Sequence, residues 1–146
     1  MTDSTRDKAD RSTEERVRAW LAEQEQVLRG LVRCGAAVDH GRVTLSGRSR
    51  SRTAARGIVQ GVRKVDGVRQ VVDAIVADDE LELAVAGAIG RGALNQRSRL
   101  IVRADFGWLR IGGAFESSAA QAEALRIGAA VAGVARAQGL RATDLL

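Results

Sequence analysis

Gly41-Arg42-Val43-Thr44-Leu45-Ser46-Gly47 reads as the returning arm of a hairpin, and its shape recurs 66 residues later as Gly107-Trp108-Leu109-Arg110-Ile111-Gly112-Gly113. Without a gap, Val65-Asp66-Gly67-Val68 then falls on Val131-Ala132-Gly133-Val134. Ser51 meets Ser117, Ala54 meets Ala120 and Asp39 meets Asp105 at the same offset. A register kept over this span marks a duplicated supersecondary unit. It points to a binding or assembly protein ahead of an enzyme.

Working outward from the first hairpin arm, Val32, Cys34, Ala36 and Val38 alternate along a preceding strand, and Asp39-His40-Gly41 makes the turn. Val43, Leu45 and Gly47 continue the inward face, while Arg42, Thr44, Ser46 and Arg48 point the other way. Ser51 is placed to cap a helix whose inward stripe is Ala55, Ile58, Val62 and Val65, with Gly57 and Gly61 allowing close approach to the sheet and Gly67 stopping it. Val68 to Val76 is apolar on both faces, which predicts a central or covered strand. Upstream, Ser12-Thr13-Glu14-Glu15 fits a capping box. It opens a helix with Val17, Leu21, Gln24, Leu28 and Leu31 on one stripe and Gly30 at its end.

The second copy follows the same plan. Asp79 with Glu82 signals a helix start for Leu81, Val85 and Ile89, and a hairpin runs from Leu100 to Ala114 with its turn at Asp105-Phe106-Gly107. Ser118 with Gln121 caps a last helix through Leu125, Gly128 and Val131, and Val134 to Leu146 either forms a short edge strand or frays. The expected architecture is therefore α+β. It has two tandem αββαβ units, each a small three-stranded antiparallel or mixed sheet with two helices on one face. The expected boundaries are a disordered tail at 1–11, a first domain at 12–77 and a second at 78–146. Units of this size bury only about 60% of their unfolded surface and are marginal alone.

The chain of 146 residues carries a formal charge of +5, and the excess belongs to one copy. Residues 12–77 hold 12 Arg or Lys against 7 Asp or Glu, whereas residues 78–146 hold 8 of each. With no apolar run of about 18 residues and a polar N-terminus from Met1 to Arg11, the expectation is a cytoplasmic protein, peripheral at most at the inner membrane face. Cys34 is the single cysteine, so neither a disulfide framework nor a CxxC metal clip is available, and a small buried residue is the expected role.

Catalysis is poorly supported. His40 is the only histidine, lies at a turn, and has no Ser, Cys or carboxylate set beside it by spacing. Gly87, Gly90 and Gly92 follow a helix and lack the order that presents amides to phosphate. The clustered carboxylates Glu14 with Glu15 and Asp78 with Asp79 are explained by helix starts, so no metal or other cofactor is expected.

Two surfaces remain as candidates. Arg48, Arg50, Arg52, Arg56, Arg63 and Lys64, with Arg42 beside them, suit an anionic lipid or other anionic partner; the bland alternative is a solvated face in an arginine-rich chain. On the second hairpin, alternation sends Arg99, Ile101, Arg103, Trp108 and Arg110 to one face, with Phe106 at the turn. That mixture suits a membrane interface or a protein contact, or alternatively burial between the copies. Nucleic acid is less favoured, because only Trp20, Phe106, Trp108 and Phe115 offer stacking and no recognition motif is present.

A Gly-x-Val-x-Leu-x-Gly strand, a serine-led helix and a Val-x-Gly-Val-x-x-Val-x-Asp-x-Ile strand together resemble the BON domain, a bacterial module of osmotic-stress and envelope proteins. Gly41, Val43, Leu45, Gly47, Gly67, Val68, Val71, Asp73 and Ile75 carry the resemblance in the first copy. The second keeps Gly107, Leu109, Ile111, Gly113, Gly133 and Val134, but has Ala137, Gly139 and Arg141 where Val, Asn or Asp, and an aliphatic residue are usual. The resemblance implies a tandem BON protein without catalytic activity. It also implies partners among anionic phospholipids or envelope proteins and, as in related ring-forming modules, homo-oligomeric scaffolding.

Overall fold

Both hairpins form, and each becomes two strands of a separate three-stranded sheet. The protein is described here from a computed structural model covering residues 3–140. Its contacts divide into Met1–Ala77 and Asp78–Leu146.

In the first unit, α1 (Asp3–Glu23) and a short α2 (Glu25–Leu28) precede β1 (Val32–Asp39) and β2 (Arg42–Ser49), followed by α3 (Arg52–Val62) and β3 (Gln70–Ala77). The second has α4 (Asp78–Gly90), β4 (Arg99–Asp105), β5 (Trp108–Ala114), α5 (Ser118–Ala130) and β6 (Arg136–Gly139). Each sheet is mixed: its middle strand pairs antiparallel with the preceding strand and parallel with the following one. A parallel neighbour needs a crossover, which α3 and α5 supply. His40 and Gly41 take φ values of 55° and 76°, and Phe106 and Gly107 take 49° and 83°. Two successive left-handed residues match the twist of the strands they join.

The helices cover one face of each sheet. Val17 and Leu21 of α1 and Ala55, Ile58, Val59 and Val62 of α3 enclose Val32, Ala36, Val43, Leu45 and Ile75 in one buried cluster. In the second unit Leu81, Val85 and Ile89 of α4 and Ala120 and Ala124 of α5 are buried together with Leu109 and Ile111 of β5. The helix caps are equivalent: Ser51 Oγ accepts from the Ala54 amide and Ser117 Oγ from the Ala120 amide, each at 3.1 Å. The second cap is thus Ser117, one residue before the expected Ser118.

Several expectations need correction. The tail foreseen at 1–11 is helical from Asp3, because α1 starts upstream of Ser12 and its Asp10 and Arg6 are tied to the first hairpin turn. The long first helix breaks at Gln24, whose ψ is 136°, so Leu28 leaves the stripe and is 73% exposed. The apolar β3 is an edge strand beside a central β2; its Ile75 and Ala77 face the helices, while Ala74 lies exposed on the open face. Gly61 admits α1 and not the sheet, since a Cβ there would collide with the Trp20 ring. The helix α3 ends at Val62, so Gly67, at φ 92°, turns the loop beyond it. The closing strand of the second unit forms, with Trp108 opposite Arg136 and Ile111 opposite Gly139. Arg141 lies outside the described residues.

Candidate binding surfaces

The six cations singled out in the first copy do not form one patch. Arg48 lies on the open face of the sheet, away from the helices, because it alternates with Val43 and Leu45. Arg50 is exposed between β2 and α3. Arg52 is held at the start of α3, where its guanidinium donates to Asp73 Oδ2 at 2.8 Å and to the Ile75 carbonyl at 2.9 Å. Arg56, Arg63 and Lys64 are exposed along α3 and just past its end, and their side chains make no ion pair or hydrogen bond within the described chain. These three are therefore available to an outside anion.

Three arginines that the sequence reading passed over gather with His40 at the end of the first unit, where α1, the β1–β2 turn and the loop before β3 meet. Arg6, Arg16, His40 and Arg69 line a groove of about 650 Å³ with Asp10, Ser12, Thr13, Gly41 and Gly67. Arg69 also borders an adjoining recess with Arg63. Arg16 is oriented at three points: Nε donates to the Asp66 carbonyl at 3.0 Å, and its terminal nitrogens donate to Ser12 Oγ at 2.8 Å and Thr13 Oγ1 at 3.2 Å. His40 Nδ1 lies 2.6 Å from Asp39 Oδ1, and Nε2 faces the Arg6 guanidinium.

Asp10 fixes this end of the fold. Its carboxylate accepts from the His40 amide at 2.8 Å and the Gly41 amide at 3.1 Å. Its carboxyl is held below the ordinary aspartate range chiefly by the His40 amide; burial opposes the shift, and the Gly41 amide and the charges of His40 and Arg6 add to it. Asp78 does the same in the second unit, accepting from Phe106 and Gly107 amides at 2.8 and 3.1 Å. No spacing rule reaches from a helix to a turn some 30 residues away, so neither lock was visible in sequence.

On the second hairpin, Trp108 lies on the open face with Arg110 and Arg136 stacked over its ring, 4.7 and 4.8 Å from the centroid. The indole Nε1 is buried without an acceptor among the described residues. Arg103 stands opposite Arg110, and Ile101, 40% exposed, stands opposite Gly112. Phe106 is drawn into the turn by Asp78. Arg136 is the member of this surface that sequence reading missed, since it lay in a stretch with no clear period.

Little suggests reaction chemistry. Burial pushes the Cys34 thiol up, away from the reactive thiolate, and pushes the Glu82 carboxyl up with help from Asp78. Neither group lines the groove. Among the described residues no metal-ligand cluster is present, and no helix is long and apolar enough to cross a membrane.

Residues 9–79 match the BON domain family, so one BON domain is found, and it coincides closely with the first unit. No curated protein matches the chain. Among solved structures, CdsD, a structural protein of the type III secretion system of Chlamydia trachomatis, superposes with a TM-score of 0.69 at 10% identity, covering 90% of this chain and 61% of that one. The C-terminal domain of CdsD superposes with a TM-score of 0.59 at 13% identity, over 86% and 62% of the respective chains. This chain therefore spans less than two thirds of either structure, and at such identities the likeness shows the fold alone.

Proposed function

We propose that this protein is a non-enzymatic adaptor whose first unit associates with anionic phospholipid at a membrane surface, and whose second unit is a diverged BON-like copy. The observation that carries the reading is the exposed set of Arg56 on α3 and Arg63 and Lys64 just past its end, none of them neutralised within the described chain. The BON match and neighbours that are structural proteins point the same way, to a binding or structural role without catalysis. Lipid attachment would then be peripheral, on the cytoplasmic side.

Near an anionic leaflet each cation contributes about 1 kcal/mol. Arg56→Gln with Lys64→Gln should therefore weaken co-sedimentation with phosphatidylglycerol-containing vesicles about thirtyfold, from the roughly 2 kcal/mol lost. Binding should also fall as salt shortens the screening length. Equal binding to zwitterionic vesicles, or indifference to the double substitution, would overturn the reading.

A second reading rests on the open sheet face of the second unit, where Ile101 and the Trp108–Arg110–Arg136 stack would contact a further copy or a protein partner in a scaffold. Its self-assembly version predicts salt-tolerant oligomers in sedimentation velocity. A strict monomer at high concentration would dispose of that version.

A further inference from the structure

The groove at the end of the first unit is not a by-product of its fold, because the second unit has the same fold without the cations. The first helices run in register at a separation of 68, with the turn-locking Asp10 on Asp78 and the buried Val17 on Val85 and Leu21 on Ile89. The turns and following loops run at 66, His40 with Phe106 and Gly67 with Gly133. By these registers Arg16, His40 and Arg69 correspond to Ala84, Phe106 and Ala135. The second unit locks its turn with Asp78 and closes its sheet with none of the three. Arg16 and Arg69, which a second unit of the same fold lacks, line one concavity and require another reason.

We propose that this groove binds a phosphate group, received between Arg16 and Arg69. Arg16 is pre-set by its bonds to Asp66, Ser12 and Thr13, which use three of the five N–H donors of a guanidinium and leave two. The Arg69 guanidinium makes no ion pair or hydrogen bond within the described chain, and its stem lies over Gly41, where a Cβ would sit only 2.8 Å from Arg69 Cγ. Two guanidinium groups, one fixed and one unengaged, suit the paired oxygens of a phosphate. Arg6 adds charge to the lining. The groove's carboxylate, Asp10, already has both oxygens turned to the His40 and Gly41 amides, and Asp39 is held by His40. Ala9, Gly41 and Gly67 leave room for an uncharged body carrying the phosphate. The proposal deepens the membrane reading by assigning a headgroup site, but it also admits a soluble phosphoester.

Titration of the full chain with glycerol 3-phosphate, by calorimetry, is set beside co-sedimentation with phosphatidic acid vesicles and with phosphatidylglycerol vesicles of equal charge. Arg69→Gln should weaken glycerol 3-phosphate or phosphatidic acid binding at least tenfold, while Arg56→Gln with Lys64→Gln leaves the soluble ligand unaffected. Arg69→Lys, which keeps the stem and the charge, should recover part of the loss and so distinguishes a lost contact from a folding defect. A response to glycerol 3-phosphate without vesicle binding identifies a free phosphoester and sinks the membrane reading alone. A response confined to phosphatidic acid vesicles identifies the lipid headgroup. Binding of both ligands unchanged by Arg69→Gln, or no binding of either, overturns the groove, even where phosphatidylglycerol binding still depends on Arg56 and Lys64.

Discussion

The first unit fills its core with Ile58 and Val62 of α3, both fully buried, whereas the matching positions of α5 hold Ala124 and Gly128. The smaller residues let α5 come so near its sheet that a Cβ on Gly128 would stand 2.5 Å from Ile111 Cδ1. Strand order, turn conformation and serine caps are nevertheless the same in both. The plan of the fold therefore rests on turns, caps and ladder bonds, and helix-to-sheet distance adjusts to the volume supplied. Giving the first unit the residue of the second should break the comparison most sharply. Ile58→Ala leaves a cavity that a helix already set for large side chains fills only in part, and should cost about 4 kcal/mol. Urea unfolding in a Trp108→Phe background, with Trp20 as the reporter, measures it. A loss under about 1 kcal/mol would mean that α3 settles as close as α5 does.

The two hairpin locks come next. Asp78 is 2% exposed and its two bonds are charge-assisted, so Asp78→Ala strands two turn amides and should cost about 3 kcal/mol. Asp10 makes the same bonds in a far more open setting, and Asp10→Ala should cost distinctly less. The pH dependence sharpens the contrast. Because the folded-state value of Asp10 lies below the unfolded one, its stabilisation is fully present above about pH 4 and is lost as pH falls through the depressed folded value. The stability gap between the wild type and Asp10→Asn should shrink steadily below pH 4 in urea titrations. A gap that is constant from pH 6 to pH 3 would show that the lock does not depend on the charge.

The comparison also explains what the sequence made legible. Glycines and aliphatics at fixed spacing specify strands and turns, so both hairpins, Ser51, and the stripes of α3 and α4 could be read from the chain alone. The Gln24 break escaped because Leu28 and Leu31 continue the helical period past the true end, and only solvation of Leu28 reveals the shift. The groove escaped for another reason. Arg6, Arg16 and Arg69 come from two helix turns and a loop more than 50 residues apart, and nothing local distinguishes them from solvated cations until Asp10 and Asp66 bring those segments together. The basic cluster that was legible, Arg48 to Lys64, was in turn divided by strand alternation and by the Arg52–Asp73 pair.

Where the first unit presents free cations, the second keeps two of its own against an aromatic ring, and this gives the smallest expected effect. Arg136 belongs to β6, which has only four residues and pairs with β5 directly opposite Trp108. A guanidinium over an indole contributes about 0.5–1 kcal/mol when the site is partly exposed. For a strand this short the stacking adds materially to the ladder bonds. Arg136→Gln should therefore lower the stability reported by Trp108, in a Trp20→Phe background, by about 0.5–1 kcal/mol. Arg136→Lys should restore only part of it, because an ammonium gives attraction without planar stacking. The same substitution separates the two surfaces: it leaves glycerol 3-phosphate binding by the first unit unchanged and alters any oligomer formed through the Trp108 face. If Arg136→Gln is silent in stability, Arg110 alone holds the ring, and β6 is retained by its ladder bonds and by the Leu140 amide, which donates to the Ile111 carbonyl at 2.8 Å.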